Sequence, residues 1–178
     1  VLHNGYQFTS TVIKSGTGTM LLTAANTYTG NTAISAGTLF VNGSVASAVT
    51  VNGGVLAGSG TLGGAVTVNT NGSLAAGAAL NSIGTLTLSG NLTLKGSALV
   101  NLDKSQAQSN SVFNVSGVLT NANGAAPTLI VSNLGPALVA GDKFTEVNKA
   151  MSGGDSVTIV PTVGYTLVNI LAVDGSIS

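Results

Sequence analysis

The chain contains no cysteine, no tryptophan and no arginine, and only 6% of its residues are charged. An average soluble domain carries roughly 25% charged residues. Without cysteine the chain forms no disulfide and no thiolate metal site. Five lysines balance five acidic residues, and no basic cluster is present. Nucleic acids and anionic membrane surfaces require such a cluster, so neither is expected as a partner.

Long apolar runs are also absent. Stretches such as LVNILAV, from Leu167 to Val173, are far shorter than the roughly 20 residues that span a bilayer, so membrane insertion of this segment is not expected. The chain does have 178 residues, of which 44% are hydrophobic. That content suffices to bury a core, and Thr, Ser and Asn must then supply the polar surface.

A short repeat organises the sequence. VTVN begins at Val49 and again at Val66, which is 17 residues later, and similar units follow as GTLTLSG, NLTLKG, SALVNL, FNVSGVLT and TLIVSN. Each unit places apolar residues at alternate positions, which predicts a strand with one buried face. Gly or Asn-Gly pairs end the units, as at Asn52-Gly53, because these residues tolerate tight corners. No helix-period stretch with caps occurs, so the chain is predicted to be all-β.

Two all-β architectures compete, an antiparallel sandwich and a β-solenoid with one repeat per coil. The spacing of the two VTVN units favours the solenoid, in which identical residues stack on one another. About 20 residues per coil predicts eight or nine coils. Within the opening unit, Leu21 and Leu39 are interior candidates, and Thr residues are expected on the outer face.

A longer stretch carries a family resemblance. KSGTGTMLLTAANTYTGNTAISAGTLFVNGS, residues 14–44, resembles the autotransporter-associated β-strand repeat, also called the passenger-associated transport repeat. The shared features are Gly16, Gly18, the NTYTG and GTL segments and Thr32. Met20, Ala24 and Asn31 depart from the commoner Leu, Gly and Gly. Residues 54–77 resemble the coils that usually follow this repeat. The resemblance implies a right-handed parallel β-helix outside the bacterial cell, with a structural role.

The sequence is divided accordingly into three parts. Residues 1–13 form an N-terminal strand segment, residues 14–102 form the repeat coils, and residues 103–178 form more degenerate β coils or a C-terminal cap. The N-terminal segment places Leu2, Tyr6, Phe8 and Val12 on one face of an extended strand. This strand is interpreted either as the first coil or its cap, or as a strand donated to a neighbouring subunit.

Catalytic and cofactor signals are weak. GSGTLG at residues 58–63 has the GxGxxG spacing, but a strand rather than a helix is expected to follow, which favours a coil corner over a phosphate site. His3 is the single histidine, so no histidine cluster or Ser-His-Asp triad is expected around it. We therefore expect no catalytic, metal or cofactor residues.

The acidic residues do not form the pattern of a polysaccharide-cleaving β-helix enzyme, which needs paired or clustered carboxylates. Asp142 and Glu146, with Lys143 and Lys149 alongside, are interpreted as a polar turn with ion pairs, and Asp155 as a turn residue rather than a loose Ca²⁺ ligand. The aromatic residues, including Tyr28 and Tyr165, are dispersed, and core or corner packing is the default for each.

The expected function is a non-enzymatic extracellular structural protein. It would be a stalk, adhesin segment or matrix component of the bacterial surface, or a filament subunit that self-associates through open β-edges. Surface glycans or host proteins are further possible partners. The alternatives are a carbohydrate-binding module or a carbohydrate-active β-helix enzyme.

Overall fold

The computed structural model describes residues 10–121 and 126–178. These residues form short strands and no α-helix, with one turn of 3₁₀ helix, η1, at Gly154–Ser156. The strands in chain order are β1 (Val12–Lys14), β2 (Thr19–Leu22), β3 (Ala25–Asn26), β4 (Thr32–Ile34), β5 (Thr38–Val41), β6 (Ser44–Val45), β7 (Val49–Val51), β8 (Gly54–Ala57), β9 (Thr61–Leu62), β10 (Val66–Val68), β11 (Gly72–Ala75), β12 (Thr85–Leu88), β13 (Leu92–Leu94), β14 (Ser97–Leu102), β15 (Val112–Val115), β16 (Leu119–Asn121), β17 (Thr128–Asn133), β18 (Phe144–Thr145), β19 (Thr158–Val160), β20 (Asn169–Ile170) and β21 (Ser176–Ile177).

Up to β17, each strand pairs with the strand three positions earlier in the chain. The strands therefore form three parallel sheets, which are the three faces of the coil stack. Sheet A has the order β1-β4-β7-β10-β13-β16, and sheet B has the order β2-β5-β8-β11-β14-β17-β19. Sheet C has the order β3-β6-β9-β12-β15. The predicted all-β class and parallel β-helix are confirmed, and the antiparallel sandwich is excluded for these sheets.

The VTVN repeat sets the register of sheet A. Val66 pairs with Val49, and Val68 pairs with Val51. The same rows continue to Leu92 and Leu94 in the next coil. These side chains are buried, because residues at alternate positions of each strand point into the coil. Between them, an outward row runs through Ala33, Thr50, Thr67, Thr93 and Thr120.

Sheet B corrects one interior assignment. Leu39 is fully buried, as predicted, and it pairs with Met20 rather than with Leu21. Leu21 pairs with Phe40 on the outer side of the sheet and is 54% exposed. The prediction that Leu21 lies in the interior is therefore wrong, because Met20 and Leu22 take the inward positions of β2.

Glycines allow successive coils to approach at the corners. A Cβ at Gly60 would lie 2.0 Å from the carbonyl oxygen of Gly43, one coil away. Gly58 has φ of 145° and the same close approach to the backbone of Val41. Both glycines lie in the GSGTLG segment, residues 58–63, which contains β9 and is not followed by a helix. The segment is thus a coil corner.

Over residues 10–121 and 126–178, the three parallel sheets have six, seven and five strands, which is fewer than the eight or nine coils estimated from repeat length. Val66 lies 17 residues after its partner Val49, but Leu92 lies 26 residues after Val66. Connections at residues 76–84 and 103–111 enlarge the coils that contain β11 and β14. Residues between β17 and β19 also leave the three-strand pattern, although Phe113 bridges to Val147 and Thr120 to Ser152.

The coil stack ends in a small antiparallel sheet. Its order is β18-β21-β20, and we call these three strands the C-terminal cap. Phe144, Leu171 and Ile177 of this region are buried against the interior of the stack. Among the described residues, no helix is long and apolar enough to cross a membrane.

Candidate functional site: the two ends of the coil stack

The N-terminal end presents the first strand of each sheet. No described strand pairs with β1, β2 or β3 on the side that faces away from the second coil. Ile13 of β1 is 68% exposed, and Leu21 of β2 is also exposed. An exposed edge of this kind is a template for pairing with another strand. This end is therefore a candidate interaction site.

The predicted inter-subunit strand lies mostly outside the described residues. Leu2, Tyr6 and Phe8 fall there, as does His3. Val12 is described: it begins β1, is half-buried, and pairs with Thr32 of the same chain. Its backbone N–H donates to the carbonyl of Asn31 at 3.2 Å. Strand donation by residues 1–13 stays a prediction.

Lys14 supports the first coil from within. Its side chain is buried, and its Nζ donates to the carbonyl oxygens of Ser15, Gly16 and Ala36 at 3.2, 2.8 and 3.0 Å. Buried charges in proteins are retained where such partners satisfy them. The ammonium therefore holds the corner between the first two coils together.

Surface acids at the C-terminal end stabilise turns. Asp142 accepts from the N–H of Val139, and from Lys104 Nζ at 2.9 Å, and these bonds in that order hold its pKa below the usual range. The pKa of Asp174 is lowered by Lys143, whose Nζ lies 2.6 Å away, and by Ser176. Lys149 donates to backbone carbonyls and not to an acid. The predicted ion pairs within residues 142–149 do not form: Asp142 and Lys143 each pair with a residue in a distant segment of the chain.

Asp103 stabilises a turn in the long connection after β14. The hydroxyl and N–H of Ser105 and the side chain of Gln106 donate to its carboxylate. The hydrogen bond from the Ser105 hydroxyl, followed by that from Gln106, lowers the pKa of Asp103. Its charge therefore helps to order residues 103–111.

Glu146 does not belong to a polar turn, which corrects the prediction for this residue. Its side chain is 1% exposed and lies inside the stack. Burial raises its pKa to about 8, against a weaker opposing effect of Asn110, whose Nδ2 lies 3.5 Å from Oε2. No sequence pattern indicates this burial, since EVNK is as polar as any surface turn.

An open cleft lies beside the cap. It has a volume of about 410 Å³ and is lined by residues 138–142 and 164–168 together with Phe144 and Ser178. Tyr165 is half-buried in it, and its hydroxyl accepts from the N–H of Leu138 at 3.3 Å. Clefts of this size lie within the range of small-ligand sites. Tyr28, by contrast, is fully buried and bonded to Thr32.

The remaining candidate ligands do not converge. In the part of the chain that the structure describes, no three His, Cys, Asp or Glu residues lie close enough together to hold a metal ion. Asp155 lies in η1, at the turn that the sequence predicts there. The described acids instead serve turns, ion pairs and the interior.

The first coils of the stack match a known protein family. The family model of the passenger-associated-transport-repeat matches residues 12–41, from the first residue of β1 to the last residue of β5. The resemblance drawn from the sequence is confirmed over this stretch. The match indicates a passenger-type β-helix, which implies a secreted or surface-displayed protein. No curated protein and no solved structure matches the chain.

Proposed function

We propose that this chain is a non-enzymatic structural β-solenoid of the bacterial cell surface, which serves as a stalk or display scaffold. The observation that carries the proposal is the transport repeat at residues 12–41, which forms the first coils of a register-stacked parallel β-helix. In such a stack, backbone hydrogen bonds and apolar rows hold each coil on the last, which suits a rod better than a pocket.

Surface labelling of intact bacteria tests the location. Gly141 is exposed, and a Cβ at this position would meet no atom within 4 Å, so an epitope inserted after it should leave the coils intact. We expect antibody to bind the tag on unbroken cells, with lysed cells giving the total amount. A tag that antibody reaches only after lysis would contradict the proposal.

The absence of catalysis needs its own experiment. A panel of polysaccharides, with and without Ca²⁺, should yield no cleavage products above a blank. Asp142→Asn and Asp155→Asn are the variants that decide the result. Cleavage that either substitution abolishes would overturn the non-enzymatic reading and favour a carbohydrate-active enzyme.

The N-terminal end of the stack is the proposed surface for self-association. The exposed Ile13 and Leu21 lie on the first strands, while the cap covers the interior at the other end. Among the described residues, β1–β3 have no strand on the side that faces away from the second coil, whereas the opposite end is covered. This difference favours pairing through β1–β3, either with residues 1–13 of another copy or with a preceding coil. In negative-stain images, fibres that vanish when residues 1–9 are deleted, which leaves β1 intact, would support strand donation, and monodisperse rods of the undeleted protein would exclude it.

Glycan binding is a second candidate, and the cleft beside the cap is the observation that favours it. Tyr165 offers a half-exposed ring within the cleft, whereas Tyr28 has no exposed surface. Binding to a glycan array that is lost in Tyr165→Ala and kept in Tyr28→Phe would support this function. Equal loss in both variants would point to unfolding instead of a site.

A further inference from the structure

Glu146 occupies the joint between the last coil and the C-terminal cap. It directly follows β18, and its backbone N–H donates to the carbonyl of Gly175, just before β21, at 3.0 Å. Its own carbonyl accepts from the N–H of Phe113 in β15 at 2.8 Å. The residue therefore connects sheet C to the cap on both sides of its backbone.

Its side chain points into an apolar interior. Oε1 has no hydrogen-bond partner among the described residues, and Oε2 has only the amide of Asn110 at 3.5 Å. Glu146 also lines a cavity of about 30 Å³ whose walls include Phe113, Met151 and Leu171. That space is large enough for about one water molecule, which is far less hydration than a carboxylate has in bulk water.

In the part of the chain that the structure describes, no charged side chain bonds to this carboxyl. In β15, at the corner residues Asn110 and Ser111, and in β21, the neighbours are uncharged. The charged residues of the same region are engaged elsewhere: Lys143 pairs with Asp174 at the surface, and Lys149 donates to the carbonyls of Ser116 and Gly117. A negative charge on Glu146 would stay uncompensated as long as the cap is closed.

We propose that Glu146 is a protonation-dependent latch: its neutral carboxyl lets the cap close over the last coil, and its ionisation drives the cap open. Opening breaks the two hydrogen bonds from Glu146 and Val147 to the carbonyl of Gly175 and admits water to the carboxylate. The same movement uncovers interior side chains next to the carboxyl, such as Phe113 and Met151, which line the same cavity. The device thus controls access to this end of the stack.

The direction of the pH dependence follows from proton linkage. Burial raises the pKa of Glu146 from 4.5 to about 8, so the closed state binds a proton that the open state has already released. The stabilising effect of the closed state is complete below about pH 4.5 and is lost as the pH rises through about 8. Across that window the equilibrium constant for opening should rise about tenfold per pH unit.

A single labelled carboxyl tests the first half of the proposal. Glu146 is the one glutamate in the chain, so ¹³C-glutamate labelling gives one side-chain carboxyl signal, and no variant is needed. We expect its titration midpoint in the folded protein near pH 8. A midpoint near the ordinary value of 4.5 would overturn the proposal.

Hydrogen exchange tests the second half. With intrinsic rates corrected for pH, amides of β18 and β21 should lose protection steeply between pH 5.5 and 8, while amides of β7 and β10 should not. Glu146→Gln keeps the shape and removes the charge, so its cap protection should be independent of pH. Asp174→Asn removes the surface ion pair with Lys143 and keeps an amide oxygen that can accept from Ser176, so this variant should keep the wild-type pH dependence. Cap protection in the wild type that does not change with pH would contradict the latch.

Discussion

Along each strand, alternate side chains point into the coil or out to solvent, and the two positions have very different energetic weight. Inward side chains are packed between neighbours from adjacent coils, so that losing part of one leaves a cavity. Outward side chains keep contact with water. Single substitutions therefore measure on which side of a strand a residue lies.

Leu39 and Leu21 provide a matched pair on adjacent strands of sheet B. Leu39→Ala should lower the free energy of unfolding by about 2–5 kcal/mol, because a fully buried side chain is truncated. Leu21→Ala should cost less than about 1 kcal/mol, since the side chain is more than half exposed. Urea unfolding of the two variants measures the difference. Equal losses would mean that the register of β2 is wrong.

Gly60 and Gly18 provide a second pair, for the close approach of coils. Gly60→Ala brings a Cβ within 2.0 Å of the Gly43 carbonyl oxygen, whereas nothing lies within 4 Å of a Cβ at Gly18. We expect Gly60→Ala to lower the thermal midpoint sharply, with a loss of about 2–4 kcal/mol. Gly18→Ala should change stability by no more than about 0.5 kcal/mol. A tolerated Gly60→Ala would show that the corner spacing is larger than described.

At the level of elements, polar side chains hold the connections that interrupt the repeat. Asn101 donates to the carbonyls of Leu80 and Ser82 in the connection at residues 76–84. Asp103 orders the next connection through Ser105 and Gln106. These connections depart from the strand pattern, yet they are tied to the stack at defined atoms.

The lowered pKa of Asp103 predicts an acid-sensitive connection. A carboxylate with a lowered pKa stabilises the fold above its unfolded pKa, and this effect is lost as the pH falls through the lower folded value. Asp103→Asn should therefore reduce the loss of stability between pH 5 and pH 2. Urea midpoints measured across that range, with Asp174→Asn as a comparison, check this. If Asp103→Asn lost as much stability between pH 5 and pH 2 as the wild type, the proposed role of Asp103 would be contradicted.

How much of these elements the sequence predicts depends on how local their determinants are. The VTVN units at Val49 and Val66 fix register directly, because identical residues stack when their spacing equals one coil. Leu21 was misplaced because TMLL offers two alternating phases, and only pairing with β5 selects between them. Glu146 could not be located at all, since its burial results from contacts with β15 and β21 far along the chain.

Within the described residues, the molecule is a stack of coils that leaves β1–β3 open to pairing at one end, the open end, and is covered by a small sheet at its other end. The transport repeat lies at the open end. Described acids serve turns, ion pairs and the interior, and the Thr rows face outward. A stack of coils of this kind provides an extended body with a polar outer surface, as a stalk requires.

Distances along one outward row test this account most directly. Ile13 and Thr120 are joined through successive partners Ala33, Thr50, Thr67 and Thr93 in sheet A. Because the chain has no cysteine, spin labels can be attached at Ile13→Cys and Thr120→Cys alone. Five steps of about 4.8 Å predict a backbone separation of about 24 Å, and labels at Ile13→Cys and Thr93→Cys should lie about 5 Å closer. Double electron–electron resonance distances that differ by this step would support the coil stack. A broad distribution, or a Thr120 distance no longer than the Thr93 distance, would contradict it.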